Sequence, residues 1–357
     1  MFRASPKFLE KLDSESKSKS TLPPDQRAFL DAARTGATDK VRELLAKGVP
    51  VDLREDFCVH YFQNEQTALM YAAGAGHLEV IRLLLKAGAN ITAVDKNRSR
   101  EDDGAQTPLH YAAQQKNIAV IEEFLSAGAD VNALTKDKNT PLNKALWFNN
   151  PEGAQLLVKR GTHLSSKIGR KQARSPLFVA VDAIRNDLSV ETVRGLVLLL
   201  LEAGADPNGV GNTNMTAVFP LTFNEKLPEE AAAQLLEELL KAGAKPDWMD
   251  KCGSTPLQNA LLRQRPQAVK LLLEAGADVN RILTSGTALD INEQDTKMFQ
   301  KNLQGFLTAP PPADEKAAAR QQQCVAFMED KLRRCKEIAE ILQTFGAKRK
   351  SELPQPI

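Results

Sequence analysis

The chain has four histidines and four cysteines, the residue types best suited to nucleophilic, proton-transfer or metal chemistry, and their spacing supports none of these. Cys58, Cys252, Cys324 and Cys335 lack the paired intervals of a zinc site. Cys324 and Cys335, on one helix, share a face but stand about 16 Å apart at a rise of 1.5 Å per residue, too far to bridge or to share an ion. Reduced, structurally incidental thiols are expected. His60 and His163 have no aligned carboxylate or cysteine partner. There is no phosphate-binding Gly-rich loop ending in Gly-Lys-Ser or Gly-Lys-Thr, no Gly-x-Ser-x-Gly elbow, no His-Glu-x-x-His and no dinucleotide fingerprint. The reading is of a protein that is not an enzyme and that needs neither metal nor cofactor.

The residues that remain are suited to binding. Val51 to Gln66 holds Phe57, His60, Tyr61 and Phe62 among charges, and Ile91 to Gln106 is almost wholly polar, with Lys96, Arg98, Arg100, Glu101, Asp102 and Asp103. Aromatics flanked by mixed charge have the composition of a protein-binding surface. The alternative is that they pack on a neighbouring segment and stiffen it. Trp147-Phe148 is a second aromatic pair, which either anchors a partner or packs on the next unit.

The elements that carry these residues recur. Gly48, Gly88, Gly128, Gly161, Gly204, Gly243, Gly276 and Gly346 each close a Leu-rich stretch, at intervals of 40, 40, 33, 43, 39, 33 and 70 residues. A helix stop at a near-fixed period means a repeat array. Each unit opens on Thr107-Pro108-Leu109-His110-Tyr111-Ala112-Ala113 or a relative of it: Thr140-Pro141-Leu142, Ser175-Pro176-Leu177, Thr255-Pro256-Leu257, Thr67-Ala68-Leu69, Thr216-Ala217-Val218 and Thr287-Ala288-Leu289. Thr caps a helix and Pro suits its first turn, whereas Gly at the far end takes the left-handed stop. In the second helix of each unit, apolar residues recur as Val80, Ile81, Leu84 and Leu85, as Val120, Ile121, Phe124 and Leu125, as Leu196, Val197, Leu200 and Leu201, and as Leu235, Leu236, Leu239 and Leu240. That spacing predicts one buried face holding all four. The first helices carry small residues, Ala72-Ala73, Ala112-Ala113, Ala145, Ala180 and Ala260, which let neighbours approach. Acidic residues such as Glu79, Glu122, Glu202, Glu237 and Glu274 are assigned to a solvated outer face.

From Gln26 to Ala347 the chain resembles the ankyrin-repeat family, because start, alanine pair, stripe and stop agree in register over seven copies. The resemblance implies an all-α repeat solenoid of helix-turn-helix units joined by β-hairpin-like fingers. Thr107, Pro108, Leu109, His110, Gly128, Thr140, Pro141, Gly88 and Gly276 carry the motif. It also implies internal hydrogen-bonding roles for His77 and His110. Between stop and start an unmodified finger takes 12 residues, as from Gly128 to Thr140, while Gly48 to Thr67 and Gly88 to Thr107 each take 19. The two binding stretches are thus neighbouring lengthened fingers.

The expected organisation is a disordered polar tail over 1–24, the array over 25–292 with long fingers at 51–66 and 91–106, an insertion with a Pro-rich linker and the start of a long helix over 293–333, the last repeat helix over 334–347, and a basic disordered tail over 348–357. Eight units are counted. Arg27 stands where the first unit's capping Thr would fall, Lys40 interrupts that unit's stripe, and Gln343 interrupts the last, as water-facing end repeats require. Val325, Phe327, Met328, Leu332 and Ile338 are directed toward the array from one long helix over 315–343, which folds back as a cap or serves as a separate docking helix.

The 47 basic and 45 acidic residues give a net charge of +2, which argues against a nucleic-acid protein relying on a general positive field. The longest apolar run, Leu196 to Leu201, is too short to span a bilayer, and the N-terminal stretch lacks an apolar block of secretory type. These readings point to a monomeric scaffold or adaptor that binds one or more proteins, not nucleic acid or membrane. Its expected location is cytoplasmic, or nuclear in a eukaryote. The alternative is a regulatory or inhibitory subunit whose C-terminal insertion and helix modulate a bound enzyme or receptor.

Overall fold

The computed structural model describes residues 22–54, 65–96, 104–165, 167–168, 171–172, 174–183, 189–211, 213–282, 286–308 and 315–353. The chain divides into two compact units, one of Met1–Leu188 with Leu198–Ala205 and the other of Ser189–Val197 with Asp206–Ile357.

The first unit is built of helical pairs: α1 (Pro24–Thr35) with α2 (Thr38–Ala46), α3 (Ala68–Ala75) with α4 (Leu78–Lys86), α5 (Pro108–Ala113) with α6 (Ile118–Ser126), and α7 (Pro141–Trp147) with α8 (Pro151–Lys159), followed by α9 (Pro176–Asp182). First helices pack on first helices, in the order α1, α3, α5, α7, α9, and second helices on second helices, in the order α2, α4, α6, α8. The alanine pairs Ala72-Ala73 and Ala112-Ala113 are fully buried in the first row. In the second row Val80, Ile81, Leu84, Val120, Ile121 and Phe124 are buried, but Leu85 and Leu125 are only half-buried. The apolar face is therefore three residues wide, with the fourth at its edge. Leu201 and Leu240 occupy the same half-buried position in later repeats, and Glu79, Glu122, Glu202, Glu237 and Glu274 are all exposed.

Helix starts and stops follow local chemistry. The Thr67 and Thr140 hydroxyls accept from the amides of Met70 (3.4 Å) and Asn143 (3.2 Å). Thr107 is held in another way. Its N–H donates to His110 Nδ1 (3.1 Å), its hydroxyl lies 2.8 Å from the same nitrogen, and His110 Nε2 reaches the Asn139 carbonyl (3.2 Å). Because Nδ1 accepts from an amide, the ring proton sits on Nε2 and donates onward. Gly88, Gly128 and Gly276 have φ of 86°, 88° and 92°, in the left-handed region that a side chain disfavours. Two openings depart from the rule. Ser175 makes no capping bond, and Thr216 takes part in a bridge to Val210 while its helix begins later, at Val218. The first helix starts at Pro24, so Arg27 lies inside it and donates to the Leu22 carbonyl rather than standing at the cap. Among the described residues, the chain between helices forms tight turns, and an antiparallel pair forms only at Lys167–Ile168 with Lys171–Gln172, besides isolated bridges such as Arg54 to Thr67.

Polar side chains join successive pairs. The residue four places after the stop Gly accepts from the amide two places after the next stop: Asp52 from Asn90 (2.8 Å), Asn132 from His163 (2.8 Å), and in the second unit Asn208 from Lys245 (2.8 Å), Asp247 from Asp278 (3.2 Å) and Asn280 from Lys348 (2.7 Å). On the opposite side, the residue that opens each second helix reaches back to the preceding pair. His77 bonds the Arg34 carbonyl (3.0 Å), Asn117 that of Gly76 (3.1 Å), and Asn150 those of Ala113 (3.1 Å) and Gln115.

The second unit repeats the plan with α11 (Val218–Phe223) and α12 (Glu229–Lys241), then α13 (Pro256–Leu262) and α14 (Pro266–Glu274). Helix α10 (Val190–Glu202) contributes to both units. The last pair, α15 (Ala288–Thr308) and α16 (Glu315–Thr344), has 21 and 30 residues, and the two helices pack along each other. The extra length, expected as an insertion over 293–333, extends both helices. Cys335, Ile338 and Leu342 of α16 are fully buried, but Phe327, expected to pack on the array, is 55% exposed at the mouth of a groove beside the turn from α13 to α14 and is not part of the core. Residues 348–353 do not form a free basic tail. Lys350 N–H bonds Asp290 (2.9 Å), and Arg349 pairs with Glu293 (2.5 Å) and Glu352 (2.8 Å), because the acidic start of α15 offers carboxylates to the basic residues that lead into a short 3-10 turn at Lys350–Glu352.

The burial contrast predicts that Leu84→Ala costs about 3 kcal/mol in urea denaturation, whereas Leu85→Ala, at the half-exposed edge, costs about 1 kcal/mol. Equal losses would place both side chains in the same environment.

Candidate functional site

The bases of the two long fingers are bonded to each other. The Arg54 guanidinium, at the start of the first finger, donates to the carbonyls of Glu65 (2.8 Å), in its own returning strand, and Val94 (2.9 Å), in the second finger. Lys96 pairs with Glu65 (2.7 Å), and Lys136 N–H of the following finger donates to the Gly104 carbonyl (3.1 Å). Three of these contacts hold backbone carbonyls, of Glu65, Val94 and Gly104, so the base of each finger is anchored on both sides.

Beneath them lies a buried polar chain. The Asp95 carboxylate, 2% exposed, accepts from Gln106 N–H (3.1 Å) with one oxygen and from the Tyr111 hydroxyl (2.5 Å) with the other. Gln66 Nε2 donates to that hydroxyl (2.6 Å), and Gln114 Nε2 to Gln106 Oε1 (2.8 Å). A buried carboxylate is tolerated only when hydrogen-bonded on several sides, and a satisfied network of this kind is rigid. Gln66 and Tyr111 thus connect the foot of the first finger, the foot of the second and helix α5. Tyr111 also covers Gly74 of the preceding first helix, where a Cβ would meet its ring at 3.6 Å.

A half-buried row of first-helix residues runs from Tyr71 and Gly74 through Tyr111 and Gln114 to Trp147. Trp147 is half-buried at the end of α7, and Phe148 just beyond it is 38% exposed. Of that aromatic pair, Phe148 is the more exposed. Phe57, His60, Tyr61, Phe62, Arg98 and Arg100 lie outside the described residues, so the structure supplies the feet of their fingers and not their side chains. The patterned residues that face inward, His77 and His110, serve backbone carbonyls and amides.

The network around Asp95 escaped the sequence reading, although a signal was present. Gln stands immediately before the opening Thr only at Gln66 and Gln106, the two units with lengthened fingers. Asp95 lies seven places after Gly88. At the same offset Thr135 accepts from Asn139 N–H (3.0 Å) and Asp250 from Ser254 N–H (2.8 Å), each closing its own finger.

These features define a class: helical pairs stacked in register, each opened by a Thr-led turn and closed by a left-handed glycine, an all-α repeat solenoid. The chain belongs to the ankyrin-repeat family. Residues 5–95 and 94–168 match the family model of ankyrin repeats in three copies, and residues 252–282 match that of the single ankyrin repeat. Repeats of this family are generally protein-interaction modules. The chain is also similar to the human transient receptor potential cation channel subfamily A member 1, 28% identical over 141 residues, a match covering 39% of this chain and 11% of that protein. Among the described residues no helix is long and apolar enough to cross a membrane.

Asp95→Ala is expected to lower stability by about 3 kcal/mol, and Tyr111→Phe by about 1.5 kcal/mol, because each leaves buried polar partners unpaired. In a double-mutant cycle the two losses should be coupled by at least about 1 kcal/mol. Strict additivity in urea titrations would mean that the hydroxyl and carboxylate do not interact.

Proposed function

We propose that this chain is a non-catalytic interaction scaffold or adaptor. Its partner protein docks across the two long fingers and the half-buried row of first-helix residues in the first unit. The observation that carries this reading is the pinning of both finger bases by Arg54, Asp95, Gln66 and Tyr111. Loops held on a rigid scaffold lose less conformational freedom on binding, so more of the contact energy appears as affinity. Phe57, His60, Tyr61 and Phe62, with Arg98 and Arg100 on the neighbouring finger, supply aromatic anchors rimmed by charge, and Trp147 and Phe148 extend the contact along the helices. A stable complex needs about 800 Å² from each partner, an area that several adjacent repeats can present. The channel activity named for the human relative is not carried over, because the likeness covers only a small part of that protein.

A second reading is favoured by the length of α15 and α16. It makes the chain a regulatory subunit, held on its partner by the repeats and acting through these helices.

Cross-linking and mass spectrometry on native lysate identifies the partner, and variants then locate the site. Replacing Phe57, Tyr61 and Phe62 together by Ser is expected to weaken capture at least about tenfold, and Phe148→Ser several-fold, with helical content and melting temperature unchanged. Capture undiminished by both variants removes the finger reading; loss of folding in the triple variant makes those aromatics structural.

A further inference from the structure

The second unit carries a groove that the proposed finger site does not use. Its volume is about 450 Å³, within the range of cavities that hold ligands or side chains. One wall is the connection from α11 to α12, another the turn from α13 to α14, and the third the middle of α16. Leu227 is buried in its lining, while Leu262 and Phe327, at 49% and 55% exposure, present large apolar surfaces to solvent. Exposed side chains of this size gathered around one concavity mark an interaction site more often than scattered ones do.

The charges of the groove do not balance. Each carboxylate in its lining is committed to an arginine: Glu225 to Arg263, Glu229 to Arg334 (2.6 Å), and Asp330 to Arg334 (2.8 Å). The buried Arg265 guanidinium is satisfied by the carbonyls of Leu221, Asn224 and Leu227. Lys331 is left over. Its ammonium lies 5.4 Å from the centre of the Phe327 ring, and among the described residues no carboxylate stands within ion-pairing distance. Its acidic neighbours, Asp330, Glu225 and Asp295, act on it only through space. Partial burial, with the Arg334 charge nearby, pushes its pKa below the usual lysine value, the sign of a cation without enough compensation.

We propose that this groove docks a segment of a partner protein bearing a Glu or Asp close to a bulky aliphatic residue. The carboxylate pairs with Lys331 and the aliphatic side chain rests on Phe327 and Leu262. A carboxylate fits because the groove has one uncompensated positive charge to offer. A phosphate dianion brings two negative charges to a groove with one positive charge left to meet them, and a basic segment meets Lys331 as a like charge. Apolar contact supplies affinity, and the charge selects the sequence.

The test uses the full chain and three short labelled peptides in fluorescence anisotropy: one with Glu and Leu a helical turn apart on a neutral background, one with Lys replacing Glu, and one with Ser replacing Leu. Saturable binding of the Glu–Leu peptide, at least about tenfold tighter than either control, is expected. Lys331→Glu should reverse the preference toward the Lys peptide, Lys331→Gln should abolish it, and Phe327→Ser should weaken binding about tenfold, whereas Phe148→Ser should change nothing. Circular dichroism of each variant checks that the fold is intact. The proposal is overturned if the wild-type chain does not bind the Glu–Leu peptide, if the three peptides bind alike, if both Lys331 variants keep the original preference, or if Phe148→Ser abolishes binding.

Discussion

A helical pair from this chain cannot bury its own apolar face, and stacking a second pair on it leaves turn amides and carbonyls that would lose water without finding a partner. The cross-repeat hydrogen bonds resolve that conflict. Asp52, Asn132, Asn208, Asp247 and Asn280 each accept from the amide of the next repeat, while His77, Asn117 and Asn150 bond the carbonyls of the one before. Each such bond contributes on the order of 1 kcal/mol, less than the burial of Leu84 or Phe124. Apolar contact alone, however, permits neighbouring pairs to slide, and the polar bonds define one register. In an array whose stability is a sum of unit and neighbour terms, they belong to the neighbour term that makes folding cooperative.

The candidate binding surface inherits this rigidity. A finger lengthened by seven residues would ordinarily cost order at its root. Here the roots are tied by Arg54 to two carbonyls and by the Asp95, Tyr111 and Gln66 chain to helix α5. The same groups serve fold and function. The buried carboxylate that secures the second finger also orients the half-buried tyrosine of the first-helix row. Arg265, in the second unit, does similar work with a guanidinium, and by engaging three carbonyls it leaves the nearby carboxylates to other arginines.

Periodic features were the legible part of the sequence. The left-handed glycines, the Thr-led openings, the alanine pairs and the buried second-helix face could all be read because each is repeated and each has a single physical cause. The reading missed where one position answers to two demands. Leu85 and Leu125 fit the helical spacing, but at the edge of the contact between neighbouring second helices they remain half in water. Arg27 has the register of a cap, yet Pro24 starts that helix earlier. Phe327 looks like a core residue by type, whereas the packing of α16 on α14 and α15 uses Cys335, Ile338 and Leu342. Lys348 to Lys350 read as a solvated tail, because nothing local reveals that Asp290 and Glu293 wait some sixty residues away in sequence. The Asp95 network was present only as two glutamines and an aspartate whose partners are brought together by stacking.

Asn280 bonds both the carbonyl of Gly346 and the amide of Lys348, so the last two repeats are joined in register across a long stretch of intervening chain. The far ends of α15 and α16 lie beyond that join. Chain-closure entropy rises only with the logarithm of length, so this helical hairpin can be shortened, extended or exchanged for another segment at small thermodynamic cost to the repeats. It is a natural graft point, where a protein engineer could install a reporter or a different recognition helix without disturbing the ankyrin fold that carries it.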